Sequence, residues 1–263
     1  MRILILGDVM GRPARRALRD LVPSLVEREE IDLVIANAEN AAGGMGVDIK
    51  SAKELLSAGV QVMTSGNHIW KKKEIYSYLD DQEGLIRPAN FPLGAPGKGW
   101  CLWQQKGMRA LVINLQGRVF MPNHVEDPFR CVDQILKEHG GQSAVVIVDM
   151  HAEATSEKYA IGWYLDGRAS LVYGTHTHVQ TADERIFPGG TAYITDVGMC
   201  GPFDSVIGME RETVIRGFIT QLPRQFEVAQ DNVVLQGVIA DIDDDSGKAR
   251  EIRRLRIHWE VQH

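Results

Sequence analysis

The sequence predicts a layered α/β protein, and three observations carry that prediction. Strand-like runs rich in Val, Ile and Leu recur at 2–7, 32–36, 60–64, 109–115, 144–149, 170–174 and 191–195. Several are apolar at consecutive positions, the pattern of strands covered on both faces. Segments with helical spacing lie between them, and alternating strand and helix argues for helices layered on a sheet.

Taken in order, the first run is Ile3-Leu4-Ile5-Leu6, which exits through Gly7-Asp8. Residues 13–29 then place Leu18, Leu21, Val22, Leu25 and Val26 on one helical face. Pro23 falls inside this helix and is expected to kink or divide it, because it lacks an N–H and crowds the preceding turn. Residues 50–58 predict a second helix with Gly59 as its C′ stop. Residues 84–105 hold Arg87-Pro88, Phe91-Pro92 and Gly94-Ala95-Pro96-Gly97, and read as one long loop carrying Trp100 and Trp103. A loop of that length in a compact domain is expected to be either functional or a surface excursion. Asp127 and Pro128 suit the N-cap and first position of a third helix that runs to about Glu138, closed by Gly140-Gly141. Near the end, 233–242 and 249–261 predict two strands joined by Asp243-Asp244-Asp245-Ser246-Gly247. Those acids miss the EF-hand spacing, so a hairpin turn is expected there. No repeat, linker or low-complexity segment intervenes, and one domain spanning 1–263 is expected.

Composition narrows the function. At 44% hydrophobic and 24% charged, the chain has the balance of an ordinary globular protein. No run approaches the roughly 18 to 20 apolar residues of a membrane span. The chain opens on a strand, so no signal peptide is expected. The net charge of −6, without a long basic stretch, argues against a broad nucleic-acid-binding face. Lys71-Lys72-Lys73 reads as a solvated helix start. Cys101, Cys131 and Cys200 are odd in number and far apart, with no CxxC, so neither a disulfide framework nor a thiolate zinc site is suggested. A reducing, cytoplasmic location is expected.

The chemistry sits at the strand exits. The first gives Asp8; the next gives Asn37, Glu39 and Asn40; the third gives Asn67 and His68. Later exits give Asp149, His151 and Glu153, then His176 and His178, then Thr195 and Asp196. Open α/β sheets place their ligands at the carboxyl ends of strands. Carboxylates, amide oxygens and imidazoles together suit divalent metals, and the set is large enough for two ions. Two neighbouring ions are a standard device for hydrolysing phosphoesters. In a strand, His176 and His178 would share a face; in a tight turn they would serve neighbouring ions. Glu39 could bridge two ions. His68 either faces the substrate as a proton donor or caps the following helix. Arg12 is a phosphate contact or a surface charge. His124, His139, His258 and His263 read as surface, and Cys200 as a buried small hydrophobe.

Gly7-Asp8, Asn37-Ala38-Glu39-Asn40, Gly66-Asn67-His68, His151 and Gly174-Thr175-His176-Thr177-His178 follow one another in the order seen in the calcineurin-like metallophosphoesterases, which this sequence resembles. Met10 stands where that superfamily's DxH has its His, Glu39 where it has a bridging Asp, and Ile69 where an acid follows GNH. These departures resemble the YmdB-like branch nearly end to end. The resemblance implies a four-layer α/β/β/α sandwich with a dinuclear site. One ion would take Asp8, Glu39, Asn40 and His178, the other Glu39, Asn67, His151 and His176. Asn40 would fill the place of the missing histidine, suiting divalent or mixed-valence Fe or Mn, with Zn also compatible. His68 matches the histidine beside the substrate phosphate.

The resemblance implies a phosphodiesterase for small or nucleotide phosphodiesters such as 2′,3′-cyclic nucleotides, and it carries a link to RNA-related regulation. Two other readings stay open on the residues: a phosphomonoesterase or phosphoprotein phosphatase with the same metals, and a non-catalytic regulator. Residues 84–105 and 120–127 are expected to shape the pocket that separates diester from monoester. The Trp/Pro loop and the C-terminal strand pair are surfaces on which copies of the chain could associate. An amidohydrolase is disfavoured, because there the HxH pair closes the first strand.

Overall fold

Alternate residues of the first strand face two different cores. Ile3 and Ile5 belong to one apolar cluster, whereas Leu4 and Leu6 belong to another. A strand buried on both sides in this way must lie between two layers. A computed structural model, which describes residues 1–260, contains those layers.

In chain order the elements are β1 Arg2–Leu6, β2 Asp8–Val9, α1 Gly11–Arg28, β3 Leu33–Asn37, α2 Ile49–Ser57, β4 Val62–Thr64 and α3 Ile75–Asp81. Next come β5 Trp100–Gln105, β6 Met108–Gln116, α4 Pro128–His139, β7 Val145–His151, α5 Thr155–Tyr164 and β8 Leu171–Thr175. The chain continues through β9 Arg185–Ile186, β10 Ala192–Ile194, β11 Met199–Pro202, α6 Arg211–Thr220, β12 Val233–Ile242 and β13 Ala249–His258. One sheet has the order β2-β11-β12-β1-β3-β4, with β13 added to β12; the other is β5-β6-β7-β8-β10-β9. Ile3, Ile5, Leu33 and Ile35 of the first sheet meet Val112, Ile147, Leu171 and Ile194 of the second. Leu18, Val22 and Leu55 of α1 and α2 cover the first sheet's other face. Val132 and Ile161 of α4 and α5 cover the second. This is the expected four-layer α/β/β/α sandwich.

Three local expectations are corrected. Helix α1 runs unbroken through Pro23, because the ring lies on the exposed face, where the carbonyl it leaves unpaired can turn to water. The long loop stops at Gly99. From Trp100 the chain is an edge strand paired antiparallel to β6 through a turn at Lys106-Gly107. Both turn residues adopt left-handed backbone (φ 50° and 83°), as a tight hairpin requires. The remaining loop is organised by buried Arg87, whose guanidinium donates to the carbonyls of Pro88 (2.8 Å) and Pro96 (3.1 Å). His139 is not a free surface residue: its ring lies on Trp100, with centroids 3.8 Å apart. The last expected strand ends at His258; its final position, 261, and His263 lie outside the described residues. Among the described residues, no helix is long and apolar enough to cross a membrane.

Parallel pairing puts the exits of β1, β3 and β4 at one end of the first sheet, and those of β7 and β8 at one end of the second. Buried hydrogen bonds join the two ends. Asn37 Nδ2 and Thr64 Oγ1 both donate to Asp149 Oδ2, at 3.3 and 2.5 Å.

Candidate active site

At that junction, groups that can only accept hydrogen bonds converge. His151 Nε2 lies 3.1 Å from Glu39 Oε1 and 3.1 Å from Asn67 Oδ1. The other ring nitrogen fixes the tautomer. Thr175 Oγ1 gives its proton to Asp149 Oδ1 (2.7 Å), so it must accept from His151 Nδ1 (2.9 Å). In neutral His151 the Nε2 lone pair then faces two oxygens. Such a cluster needs a positive charge at its centre, either a proton or a cation.

Without a cation, the proton supplies it. Burial works against a charged His151, but the Glu39 carboxylate overrides burial and holds the imidazole above its ordinary range. Burial likewise opposes ionised Glu39, and His151 holds that carboxyl below the usual range. His176 responds in the opposite direction: burial and the charge on His151 push it down to about 3. Glu39, His151 and His176 each offer an atom within 4.8 Å of the others, a spacing that suits one metal ion. Gly66 leaves the room, since a Cβ there would stand 2.1 Å from His151 Nε2 and 2.4 Å from Glu39 Oε2.

A second group of acceptors adjoins the first. Asp8 Oδ1 and Asn40 Oδ1 are buried and have no hydrogen-bond partner among the described residues. Orphaned buried oxygens of this kind call for an ion. His178 Nδ1 donates to the Ile207 carbonyl (3.0 Å), which leaves Nε2 as an acceptor, 3.9 Å from Asp8 Oδ1. Burial raises Asp8 to about 6, against the pull of His178. The donor set therefore fits divalent cations on this chain's own geometry.

His176 and His178 do not share a strand face. Strand β8 ends at Thr175, and both histidines adopt left-handed backbone, with φ of 98° and 63°. Ile207, whose carbonyl orients His178, has φ 47°. Non-glycine residues rarely adopt this conformation, and strain of this kind gathers where surrounding structure enforces it. The enforcement is visible at Thr177, between the histidines. Its N–H and hydroxyl donate to buried Asp196 Oδ2 at 3.2 and 2.6 Å, and Lys158 Nζ donates to the same oxygen at 2.7 Å.

His68 precedes a single 3₁₀ turn, Ile69–Lys71, but its side chain makes no capping bond. Instead Nδ1 lies 3.6 Å from Glu39 Oε1 and 3.4 Å from Asn40 Nδ2. With Asn40 donating to Nδ1, the ring's proton is on Nε2. Burial lowers the pKa of His68.

All eight expected residues thus meet: Asp8, Glu39, Asn40, Asn67, His68, His151, His176 and His178. Other strand-exit residues serve behind them. Asn37 Oδ1 accepts from the Glu39 N–H (3.0 Å), and Asp149 fixes His151 through Thr175. Glu153 lies 3.1 Å from His176 Nε2. Arg12 belongs elsewhere, in a basic groove of about 940 Å³ between α1 and α2 that also holds Arg16, Arg19 and Lys53. Residues 84–105 and 120–127 do not shape the site either. Phe91, Trp100 and Asp127 line a separate cavity of about 730 Å³. The site cavity, about 300 Å³, is walled instead by Met45, Ile207, Met209, Phe218 and Phe226. Sequence reasoning missed this wall, because its residues carry no ionisable group and all but Met45 follow the last recognised strand exit.

Comparison with known proteins identifies the chain's relatives. The chain is 51% identical over 258 residues to the 2′,3′-cyclic-nucleotide 2′-phosphodiesterase of Bacillus subtilis (strain 168), covering 98% of this chain and 97% of that one. Its fold matches the crystal structure of a hypothetical protein from Thermus thermophilus, with a TM-score of 0.92 and 43% identity, covering 98% and 99% of the two chains. It matches equally a novel phosphatase from Mycoplasma pneumoniae, with a TM-score of 0.92 and 36% identity over 98% and 93%. The expected phosphoesterase reading stands on these relatives. With the model of the YmdB-like protein matching residues 4–255, the chain belongs to the YmdB-like family.

Proposed function

We propose that this chain is a metal-dependent phosphodiesterase that opens 2′,3′-cyclic nucleotides to 3′-nucleotides. The observation that carries the reading is the acceptor-only cluster of Glu39, Asn67 and His151, with the orphaned oxygens of Asp8 and Asn40 beside it. Asp8, Glu39, Asn40 and His178 would hold one ion, and Glu39, Asn67, His151 and His176 a second, with Glu39 common to both. Mixed nitrogen and oxygen donors suit Fe or Mn, and accept Zn. Bound ions would supply positive charge to the phosphoryl oxygens and a water of lowered pKa.

The chain's own groups do the rest. The two sheets fix the donors before substrate arrives, so binding costs little rearrangement. In the reaction a water oxygen adds to phosphorus and the bond from phosphorus to O2′ breaks. Departing O2′ takes the Nε2 proton of a His68 protonated on both nitrogens, which leaves the ring neutral, and the proton released by the attacking water restores it. Because both sheets supply the site, we read residues 1–263 as one catalytic unit.

The test is hydrolysis of 2′,3′-cyclic AMP, 3′,5′-cyclic AMP, bis-p-nitrophenyl phosphate and p-nitrophenyl phosphate by the Mn- or Fe-loaded protein, beside Glu39→Gln. Preferred turnover of 2′,3′-cyclic AMP, lost in the variant, is the expected result. Preference for p-nitrophenyl phosphate would replace this reading with a phosphomonoesterase.

A further inference from the structure

One side of the site cavity has a polar floor and the other an apolar wall. The floor is Glu39, Asn40, His68, His176 and His178; the wall is Met45, Ile207, Met209, Phe218 and Phe226. Among the described residues, the lining away from the floor carries no side-chain nitrogen or oxygen. Much of this wall faces water: Phe218 is 73% exposed and Phe226 43%. An exposed apolar surface that continues directly from a polar site marks a place where a ligand's flat, apolar part is covered. Wall and floor are also one mechanical unit, because the residue whose side chain lines the wall, Ile207, gives its carbonyl to His178 Nδ1.

We propose that this wall binds the nucleobase, with Phe218 as its stacking platform, while the floor takes the cyclic phosphate. The inference rests on the cyclic-nucleotide reading and adds where the base sits and how it is chosen. Any base has a π-face, so an aromatic platform accepts all of them. A wall without polar side chains offers no side-chain donor or acceptor with which to read a base edge. The protein is therefore base-dependent but base-tolerant: it requires a base, and purines and pyrimidines differ only through stacking area.

The experiment compares kcat/KM for 2′,3′-cyclic AMP with that for glycerol 1,2-cyclic phosphate, which has the same five-membered ring and no base. The Mn-loaded wild type, Phe218→Ala and Phe218→Tyr are assayed together, with sedimentation of each. The ratio of the two constants in Phe218→Ala is expected to fall by roughly 5- to 150-fold, the range of base–aromatic stacking, mostly through KM for the nucleotide. Phe218→Tyr restores it, and the four 2′,3′-cyclic nucleotides differ by less than about tenfold in the wild type. An unchanged ratio in Phe218→Ala overturns the proposal. An unchanged ratio with a lower sedimentation coefficient also overturns it and assigns the wall to a second copy of the chain. A wild type that hydrolyses p-nitrophenyl phosphate and neither cyclic ester removes the cyclic-nucleotide reading itself, and this inference with it.

Discussion

The floor and the wall of the cavity are built by opposite means. Every floor residue lies within a few positions of the end of a buried strand; Glu39, Asn40 and His178 are buried, as are Asp8 and His151 of the same site, and His68 and His176 are half-buried. Apart from Met45, the wall comes from α6 and the segments flanking it, with its largest side chains open to solvent. The floor is held by the hydrophobic contact of two sheets, the most rigid part of such a fold, and a reacting centre needs that precision. The wall is a surface of loop residues around Phe218 of α6, open to solvent on one side. It can change without disturbing the fold, which is how one centre comes to serve different substrates.

The comparison can be broken most sharply at Glu39, the residue common to both acceptor groups. Glu39→Gln is expected to lower kcat/KM for 2′,3′-cyclic AMP on the order of 10⁴-fold, equivalent to about 5 kcal/mol. Elemental analysis alongside the kinetics tests the cause; full metal content with full activity would remove Glu39 from the centre. Next is the support under the floor. Lys158→Met leaves Asp196 buried and unpaired beneath the histidine turn, and should cost about 3–5 kcal/mol in urea unfolding. A loss below about 1 kcal/mol would mean that the bonds from Thr177 and Gly198 alone satisfy Asp196. Thr175→Val cuts the link from Asp149 to His151. It should weaken metal binding by about 10- to 100-fold, read by metal titration, with the fold intact by circular dichroism. The smallest effect belongs to the wall: Phe218→Ala should change unfolding stability by less than about 0.5 kcal/mol, since the ring is mostly exposed. A larger loss in a thermal melt would show that the wall is part of the core after all.

The same contrast decides what could be read from the sequence. Strand runs and their polar exits are local patterns, so the layers and the floor were legible. The residues that orient the floor were not. Thr175 is a spacer before His-x-His until Asp149 is seen behind it, and Lys158 is one of many lysines until Asp196 is seen beside it. Pro23 misled because its effect depends on which face of α1 it occupies. Trp100–Gln105 hid as a strand because Pro and Gly dominate the residues before it, and only pairing with β6 fixes it. The wall had no signature at all, since an amphipathic segment gives no sign of which cavity it will border.

The division of the floor between two sheets has a consequence for how the protein is made. Asp8 emerges first from the ribosome and His178 last of the donors, 170 positions later. Even then β1 lacks the antiparallel neighbour that seats it, because β12 begins only at Val233. Contacts so distant in sequence form slowly. A chain that has not yet reached Val233 therefore lacks the strand that seats β1, and the turn that carries Asp8 gains its antiparallel support only once β12 has been added.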